Sequence, residues 1–197
     1  MSKKSRISLR DSLRQSRRDM EREKQDAAAK ELFGLVGHED FFRVAQNIAF
    51  YLSVDGEINP KPLLDLALSE KKNCYLPVVT EKNPEFISFG RYSADTELEP
   101  NKWGIPEPKA NKTLSSTEFD VVFVPLVGFS RQCFRLGMGK GFYDRTFSFK
   151  IFNRRSRPLL VGLAYEQQLV DDFPVESWDV RLDAVATNKK IYRPDTA

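Results

Sequence analysis

Apolar and polar positions follow two rhythms along this chain. Residues 8–36 contain almost no helix breakers, and in their second half Ala27, Ala28, Leu32, Phe33 and Val36 recur at near-helical spacing. This predicts one long helix, continuous or interrupted. Its first half is mostly charged, so little of it is expected to be buried. Arg6, Arg10, Arg14 and Arg17 fall at i, i+4, i+8 and i+11, on a shared face. Short runs rich in β-branched and aromatic residues follow at 47–54, 73–79, 86–92, 120–129 and 159–165, with a weaker one at 184–192, and these predict strands. Helical patterns separate several of them, notably 60–71, with an apolar face of Leu63, Leu64, Leu66, Ala67 and Leu68, and 143–152. Such alternation predicts an α/β fold with a mostly parallel, helix-covered sheet. Residues 97–117, rich in Pro, Asn, Lys and Ser, read as a long connection of the length usually kept for function.

Composition narrows this picture. With 197 residues, 41% hydrophobic and 30% charged, the chain suits a single well-buried domain over 1–197 and is too short for two large ones. No apolar stretch approaches the roughly 20 residues of a membrane span, and the first residues are charged where a signal peptide would be apolar, so a cytoplasmic protein is expected. Net charge is +3, and the first 24 residues alone carry nine Lys/Arg against four Asp/Glu. A basic segment of this kind is either a solvated face or the partner of a polyanion, nucleic acid or nucleotide. Cys74 and Cys133 form no CxxC, and His38 is the only histidine, which removes zinc sites, a disulfide framework and Ser-His-Asp or Cys-His catalysis. His38, in a Gly-His-Glu-Asp turn, reads as a solvated loop residue. Arg131 and Arg135 would lower the Cys133 pKa, but with no general base nearby the thiol reads as structural.

The segment with most chemistry is Arg-Leu-Gly-Met-Gly-Lys-Gly-Phe-Tyr-Asp at 135–144, directly after the apolar run 120–129. It reads as a strand, a glycine loop and a helix start. Gly137, Gly139 and Gly141 let the backbone turn N–H groups inward, and Arg135, Lys140 and Arg145 ring that concavity with positive charge, as a phosphate cradle requires. A tight turn packed on a neighbour is the other reading. The loop is neither Walker A, because Gly141 follows Lys140, nor GxGxxG, because Phe142 takes the last glycine position. Asp144 can hold Mg²⁺ near a bound phosphate or cap the helix. Asp179 and Asp183 offer a second carboxylate, and local spacing does not choose between them. Glu57, just past the first strand, is either a substrate hydrogen-bond acceptor or a solvated turn residue. Trp103, in a Trp-Gly-Ile-Pro-Glu-Pro turn, can stack on a flat ligand or pack on the core. Ser130 lacks the closing glycine of a G-x-S-x-G elbow and makes a poor nucleophile.

In this order the segments resemble the 5-formyltetrahydrofolate cyclo-ligase family, also called 5,10-methenyltetrahydrofolate synthetases. Residues 135–144, after a Val-Pro-x-x-Gly-Phe strand end, look like the family's RLGxGxGYYD signature. Leu9-Arg10, Tyr51-Leu52-Ser53-x-x-Gly56-Glu57-Ile58, the Trp103 turn and Trp178-Asp179-x-x-x-Asp183 support it. The resemblance implies a three-layer α/β fold of Rossmann-like topology and an enzyme that uses Mg²⁺ and ATP to convert 5-formyltetrahydrofolate into 5,10-methenyltetrahydrofolate, releasing ADP and phosphate. Phosphorylation of the formyl oxygen would precede ring closure by the folate N10. That chemistry depends on positioning and charge neutralisation and needs no histidine or cysteine.

By position, the resemblance implies that Arg10 and Arg6 contact ATP. Leu136, Gly137, Met138, Gly139, Lys140, Gly141, Phe142 and Tyr143 would cradle its phosphates with Arg135, and Lys140, Arg135 and Tyr143 would form the catalytic set. Asp144 and Asp179 would serve Mg²⁺. Leu52, Glu57 and Trp103 would bind the substrate, and the loop from Met138 to Phe142 would touch it as well. Three positions depart from the family pattern: Arg6 stands for a frequent Lys, Phe142 loses a tyrosine hydroxyl, and Met138 replaces a residue that is basic in some members. The implied partners are ATP and 5-formyltetrahydrofolate, with or without a polyglutamate tail, met by a monomer with no nucleic-acid or membrane partner. A nucleic-acid-binding module using the basic helix, and a phosphate-binding isomerase or CoA-transferase-like enzyme, are the rival readings.

Overall fold

The computed structural model describes residues 5–79, 84–109, 113–154 and 156–195. Lys3 and Lys4 of the basic segment and residues 110–112 of the long connection lie outside them. The predicted first helix is interrupted, giving α1 (Arg6–Arg18) and α2 (Arg22–Val36). Ser5 caps α1 by accepting from the Ser8 N–H at 3.2 Å. Gln25 holds the bend between the helices by donating to the carbonyls of Arg17 and Met20.

After α3 (Asp40–Val44), the chain lays down β1 (Asn47–Ala49), α4 (Lys61–Ser69), β2 (Asn73–Val78) and β3 (Ser88–Tyr92). Residues 97–117 are more than a connection. They form a separate hairpin of β4 (Leu98–Pro100) and β5 (Pro106–Pro108) and contribute β6 (Thr113–Leu114) to the sheet edge. The run at 120–129 divides into β7 (Val121–Pro125) and β8 (Gly128–Phe129), the latter paired with β9 (Arg135–Leu136). Pro125 has no N–H with which to extend the ladder. The helix predicted at 143–152 is a short α5 (Phe142–Thr146) followed by a 3₁₀ turn at Ser148–Ile151. β10 (Leu159–Ala164), β11 (Ala184–Thr187) and β12 (Ile191–Tyr192) complete the chain.

The main sheet runs β12-β11-β10-β7-β1-β2-β3-β6. Its five central strands are parallel, with Ile48 of β1 opposite both Cys74 and Val121, and the outer three are antiparallel. Taken in chain order the parallel strands read 2-1-3-4-5. The expected mostly parallel, helix-flanked sheet is present, and what the order refines is the Rossmann-like label: this is the second common doubly wound order rather than 3-2-1-4-5-6.

Successive side chains of β7 go to opposite faces, as the two-residue period requires. Val121 and Phe123 join Leu32 and Val36 of α2, Phe42 of α3 and Leu63 and Leu64 of α4 in one core. Val122 and Val124 join Phe129 and Phe147 in the other. A third patch, Leu9, Leu136 and Phe173, docks α1 on the β8–β9 hairpin. Both thiols are buried, and burial pushes Cys74 to about 12 and Cys133 to about 11. Desolvation outweighs the arginines that oppose it at Cys133, which are Arg181 and Arg193 rather than the expected Arg131 and Arg135. His38 is exposed, as read.

Phe123 has no solvent exposure, with the Phe50 ring 5.1 Å and the Phe42 ring 6.3 Å away. Phe123→Ala should cost about 3–5 kcal/mol, read as a lower urea midpoint with an unchanged transition slope.

Candidate active site

Strand order reverses between β1 and β7, so their two following loops diverge and leave a crevice at the carboxyl edge of the sheet. A cleft of about 1060 Å³ lies there. One wall is the loop after β1. The Tyr51 hydroxyl donates to the Ile58 carbonyl at 2.8 Å, closing the loop on itself. Within it Glu57 is buried, and its Oε2 accepts from the Val54 N–H at 3.2 Å. Burial pushes the Glu57 carboxyl up to about 7, against the opposing pull of Arg17. Glu57 is thus no solvated turn residue.

Arg17 is wholly buried. Its Nε donates to the Asp55 carbonyl at 2.7 Å, its Nη1 to the Leu126 carbonyl at 3.1 Å and its Nη2 to the Asp55 carboxylate at 2.9 Å. Arg14 donates to the same carboxylate at 2.8 Å, and Arg18 pairs with it too. The basic face of α1 is therefore turned toward the cleft, which corrects the solvated reading, although only Leu9 and Arg17 of the helix are buried, in line with its charge.

The opposite wall is the glycine loop. Gly139 (φ 91°) and Gly141 (φ 68°) take left-handed backbone, the conformation glycine adopts without strain, whereas Gly137 does not. Arg10 reaches across from α1, its Nε donating to the Gly137 carbonyl at 2.8 Å, and its two Nη groups have no partner among the described residues. Lys140 is exposed and has no ion-pair partner among them either. Because α5 is so short, the cations and loop amides, rather than a helix macrodipole, give this wall its positive character. Trp103 meets Phe142 edge-on at 5.8 Å, placing the long loop over the glycine loop. Arg145 braces the loop from outside, donating to the Glu85 carbonyl at 2.7 Å. Tyr143 lies beneath, its phenol raised by burial first and then by the Glu57 charge.

Two acid–base pairs close the end of the cleft. Arg135 is buried, 2.8 Å from the Asp144 carboxylate, with its guanidinium over the Tyr143 ring at 5.7 Å. Arg135, expected to help cradle the phosphates, lines the cleft with its guanidinium paired to Asp144. Arg6 grips both oxygens of Asp179, at 2.6 and 3.2 Å. The Val180 N–H donates to Asp144 at 3.0 Å, so the two carboxylates share one rim. Asp183 lies apart, tied to Lys150 at 3.0 Å and to the Leu160 N–H at 2.7 Å, so that of the two carboxylates only Asp179 lines the cleft.

Among the described residues no three His, Cys, Asp or Glu cluster as a metal cage. Two carboxylates beside a phosphate loop nevertheless fit Mg²⁺, which keeps several waters and takes substrate phosphates as ligands. Leu52 lines the cleft as expected. Sequence reasoning missed Phe86 and Ile105, which extend its apolar side, and Trp178, which lines it at 63% exposure. Trp178 was detectable only as an aromatic beside Asp179.

A doubly wound sheet whose switch point joins a buried carboxylate to a cation-lined glycine loop defines an α/β enzyme that handles a phosphate-bearing small molecule. The sequence profile of the 5-formyltetrahydrofolate cyclo-ligase family matches residues 2–188, and the chain belongs to that family. It is 45% identical over 143 residues to the 5-formyltetrahydrofolate cyclo-ligase of Haemophilus influenzae, covering 71% of this chain and 74% of that one. The enzyme of the same name from Escherichia coli strain K12 is 38% identical over 151 residues, covering 76% and 81%. Among solved structures, the NMR structure of Aquifex aeolicus 5,10-methenyltetrahydrofolate synthetase matches with a TM-score of 0.83 at 28% identity, over 98% of this chain and 94% of that one.

The loop carrying Glu57 depends on Gly56, which has φ 74° and would place a Cβ 2.9 Å from the Arg17 carbonyl. Gly56→Ala should therefore destabilise by about 1–3 kcal/mol, read as a lower thermal midpoint together with weaker substrate saturation.

Proposed function

We propose that this protein catalyses the ATP-dependent conversion of 5-formyltetrahydrofolate into 5,10-methenyltetrahydrofolate, with release of ADP and phosphate. The observation that carries this reading is the shared cleft, where the buried Glu57 carboxylate faces a glycine loop and two open cationic groups, Arg10 and Lys140. Glu57 would accept from the donor edge of the pterin, with Leu52 and Phe86 against its ring and Trp103 covering it. Arg10, Lys140 and the loop amides would hold the ATP phosphates. Arg6 and Arg135 would add charge through their paired carboxylates.

Asp144 and Asp179 would hold Mg²⁺ together with phosphate oxygens, and the ion would neutralise charge on the transferring group. The formyl oxygen attacks the γ-phosphorus and ADP leaves. The folate N10 then attacks the activated formyl carbon and gives up its proton to solvent, and the C–O bond breaks as phosphate departs. Each step needs alignment and cations, and Lys140, which lines the cleft, would provide positive charge. We read the whole chain as one catalytic domain, acting as a cytoplasmic monomer on folates with or without a polyglutamate tail. No helix of the described residues is long and apolar enough to cross a membrane.

Incubation with 5-formyltetrahydrofolate, Mg²⁺ and ATP should produce the near-ultraviolet absorbance of the methenyl product. No increase, or one indifferent to ATP, would overturn the proposal. Lys140→Ala should lower kcat by about 10²-fold or more. Because Lys140 is exposed, the thermal midpoint should not move.

The pH dependence follows from Glu57, raised from its ordinary range to about 7. As pH falls through that value the anionic acceptor is lost, so KM for the folate should rise between pH 8 and pH 6. Glu57→Gln should flatten this dependence in steady-state measurements.

A further inference from the structure

Glu57 can serve a substrate only if its carboxylate is held toward the cleft with an oxygen left free. Oε2 is committed to the Val54 N–H, and the nearest cationic donor, Arg17 Nη2, stands 3.6 Å from Oε1, beyond direct hydrogen-bonding distance. That donor is already directed at Asp55. Arg17 therefore supports Glu57 with charge without capturing its free oxygen. The same guanidinium links three parts of the site. It holds the Asp55 carbonyl and carboxylate, the Leu126 carbonyl just past β7, and the sulfur of Met138 in the glycine loop at 3.9 Å.

We infer that Arg17 is a positioning residue for substrate binding: from the buried side of α1 it clamps the turn at 55–57 to the end of β7 and so presents the Glu57 carboxylate to the cleft. This rests on the reading of Glu57 as the substrate's acceptor. The groups facing Glu57 are Arg14 and Arg17 from α1, Asp55 from its own turn, and the phenols of Tyr51, Tyr143 and Tyr165 from the surrounding elements. Among these charged and titratable groups only the two arginines favour its anion, beside the Val54 N–H that donates to Oε2. Of these Arg17 has no solvent contact, so its charge is the less screened.

The test compares Arg17→Met, Arg17→Lys and Glu57→Gln in the full chain, measuring kcat, KM for 5-formyltetrahydrofolate, KM for ATP and the pH profile of kcat/KM. Arg17→Met should raise the folate KM about tenfold or more while changing the ATP KM by less than about twofold. Its acid limb should move about one pH unit upward. Arg17→Lys, which keeps the charge but loses the fork, should return the limb toward its original position while leaving the folate KM raised. In a Glu57→Gln background, Arg17→Met should add less than about twofold, because the two act through one group.

Equal rises in both KM values, an unmoved acid limb or full additivity with Glu57→Gln would overturn the inference. If Glu57→Gln raises the folate KM and Arg17→Met does not, the inference alone fails. If Glu57→Gln leaves that KM unchanged, the reading of Glu57 falls and the inference with it. Should Arg17→Met fail to fold by circular dichroism, Arg17→Lys decides: an unchanged folate KM overturns the inference.

Discussion

A guanidinium without solvent contact is tolerated only where its donors are met, because the desolvation of a buried charge is otherwise uncompensated. Arg17 is in that position, and its partners are the Asp55 carbonyl and carboxylate and the Leu126 carbonyl. These groups follow β1 and β7, so meeting them lays α1 along the carboxyl edge of the sheet. Burial works against the Asp55 charge, but hydrogen bonds from Arg14, Arg18 and Arg17 outweigh it and hold the carboxyl below its ordinary value. The seating is tight: a Cβ on Gly128 would come within 2.6 Å of Leu13. Once α1 is seated, Arg6, Arg10 and Arg14 line the cleft as a consequence of helical spacing.

The second constraint is topological. In a 2-1-3-4-5 parallel sheet the loops after the first and third strands part from each other, and here those loops carry Glu57 and the glycine segment. A reaction that joins a nucleotide phosphate to a flat folate needs two unlike half-sites at contact distance. The switch point supplies them from neighbouring strands, with Ile48 and Val121 in register behind. Arg17 spans the two halves through Asp55 on one side and Met138 on the other. Trp103 on Phe142 closes the arrangement from above.

Much of this was legible in the sequence. The runs leading to β2, β7 and β10, the apolar face of α4 and the glycine loop were all recognisable, because each rests on local periodicity or on glycine spacing. The misread parts depend on contacts distant in sequence. The run at 47–54 yields only three strand residues because the chain leaves the sheet after Ala49 to build the cleft wall. The basic row of α1 looks solvated until Asp55 and Leu126 are placed beneath it. Glu57 looks like a turn residue, since nothing within a few positions shows that α1 will cover it. The carboxylates of Asp179 and Asp183 could not be told apart by spacing. Asp183 is claimed by Lys150 from the far side of the chain, while Asp179 is held at the cleft by Arg6.

The cationic groups of the site fall into two kinds. Arg6, Arg17 and Arg135 are each held by a carboxylate; removing Arg6 or Arg135 leaves Asp179 or Asp144 without its ion-pair partner among the described residues, whereas Asp55 keeps Arg14 and Arg18 when Arg17 is lost. Lys140 and the Nη groups of Arg10 have no such partner among the described residues, so they can meet a ligand without first breaking an ion pair. The first kind sets the shape of the cleft; the second is free to follow the charge of what enters it. A site of this design would keep its geometry without ligand and leave its open donors for the phosphates proposed to bind there, as the preorganisation of phosphoryl transfer demands. It also explains why a loop that is neither Walker A nor Rossmann can serve: the rigidity those motifs draw from a long helix comes here from paired arginines beneath a five-residue one.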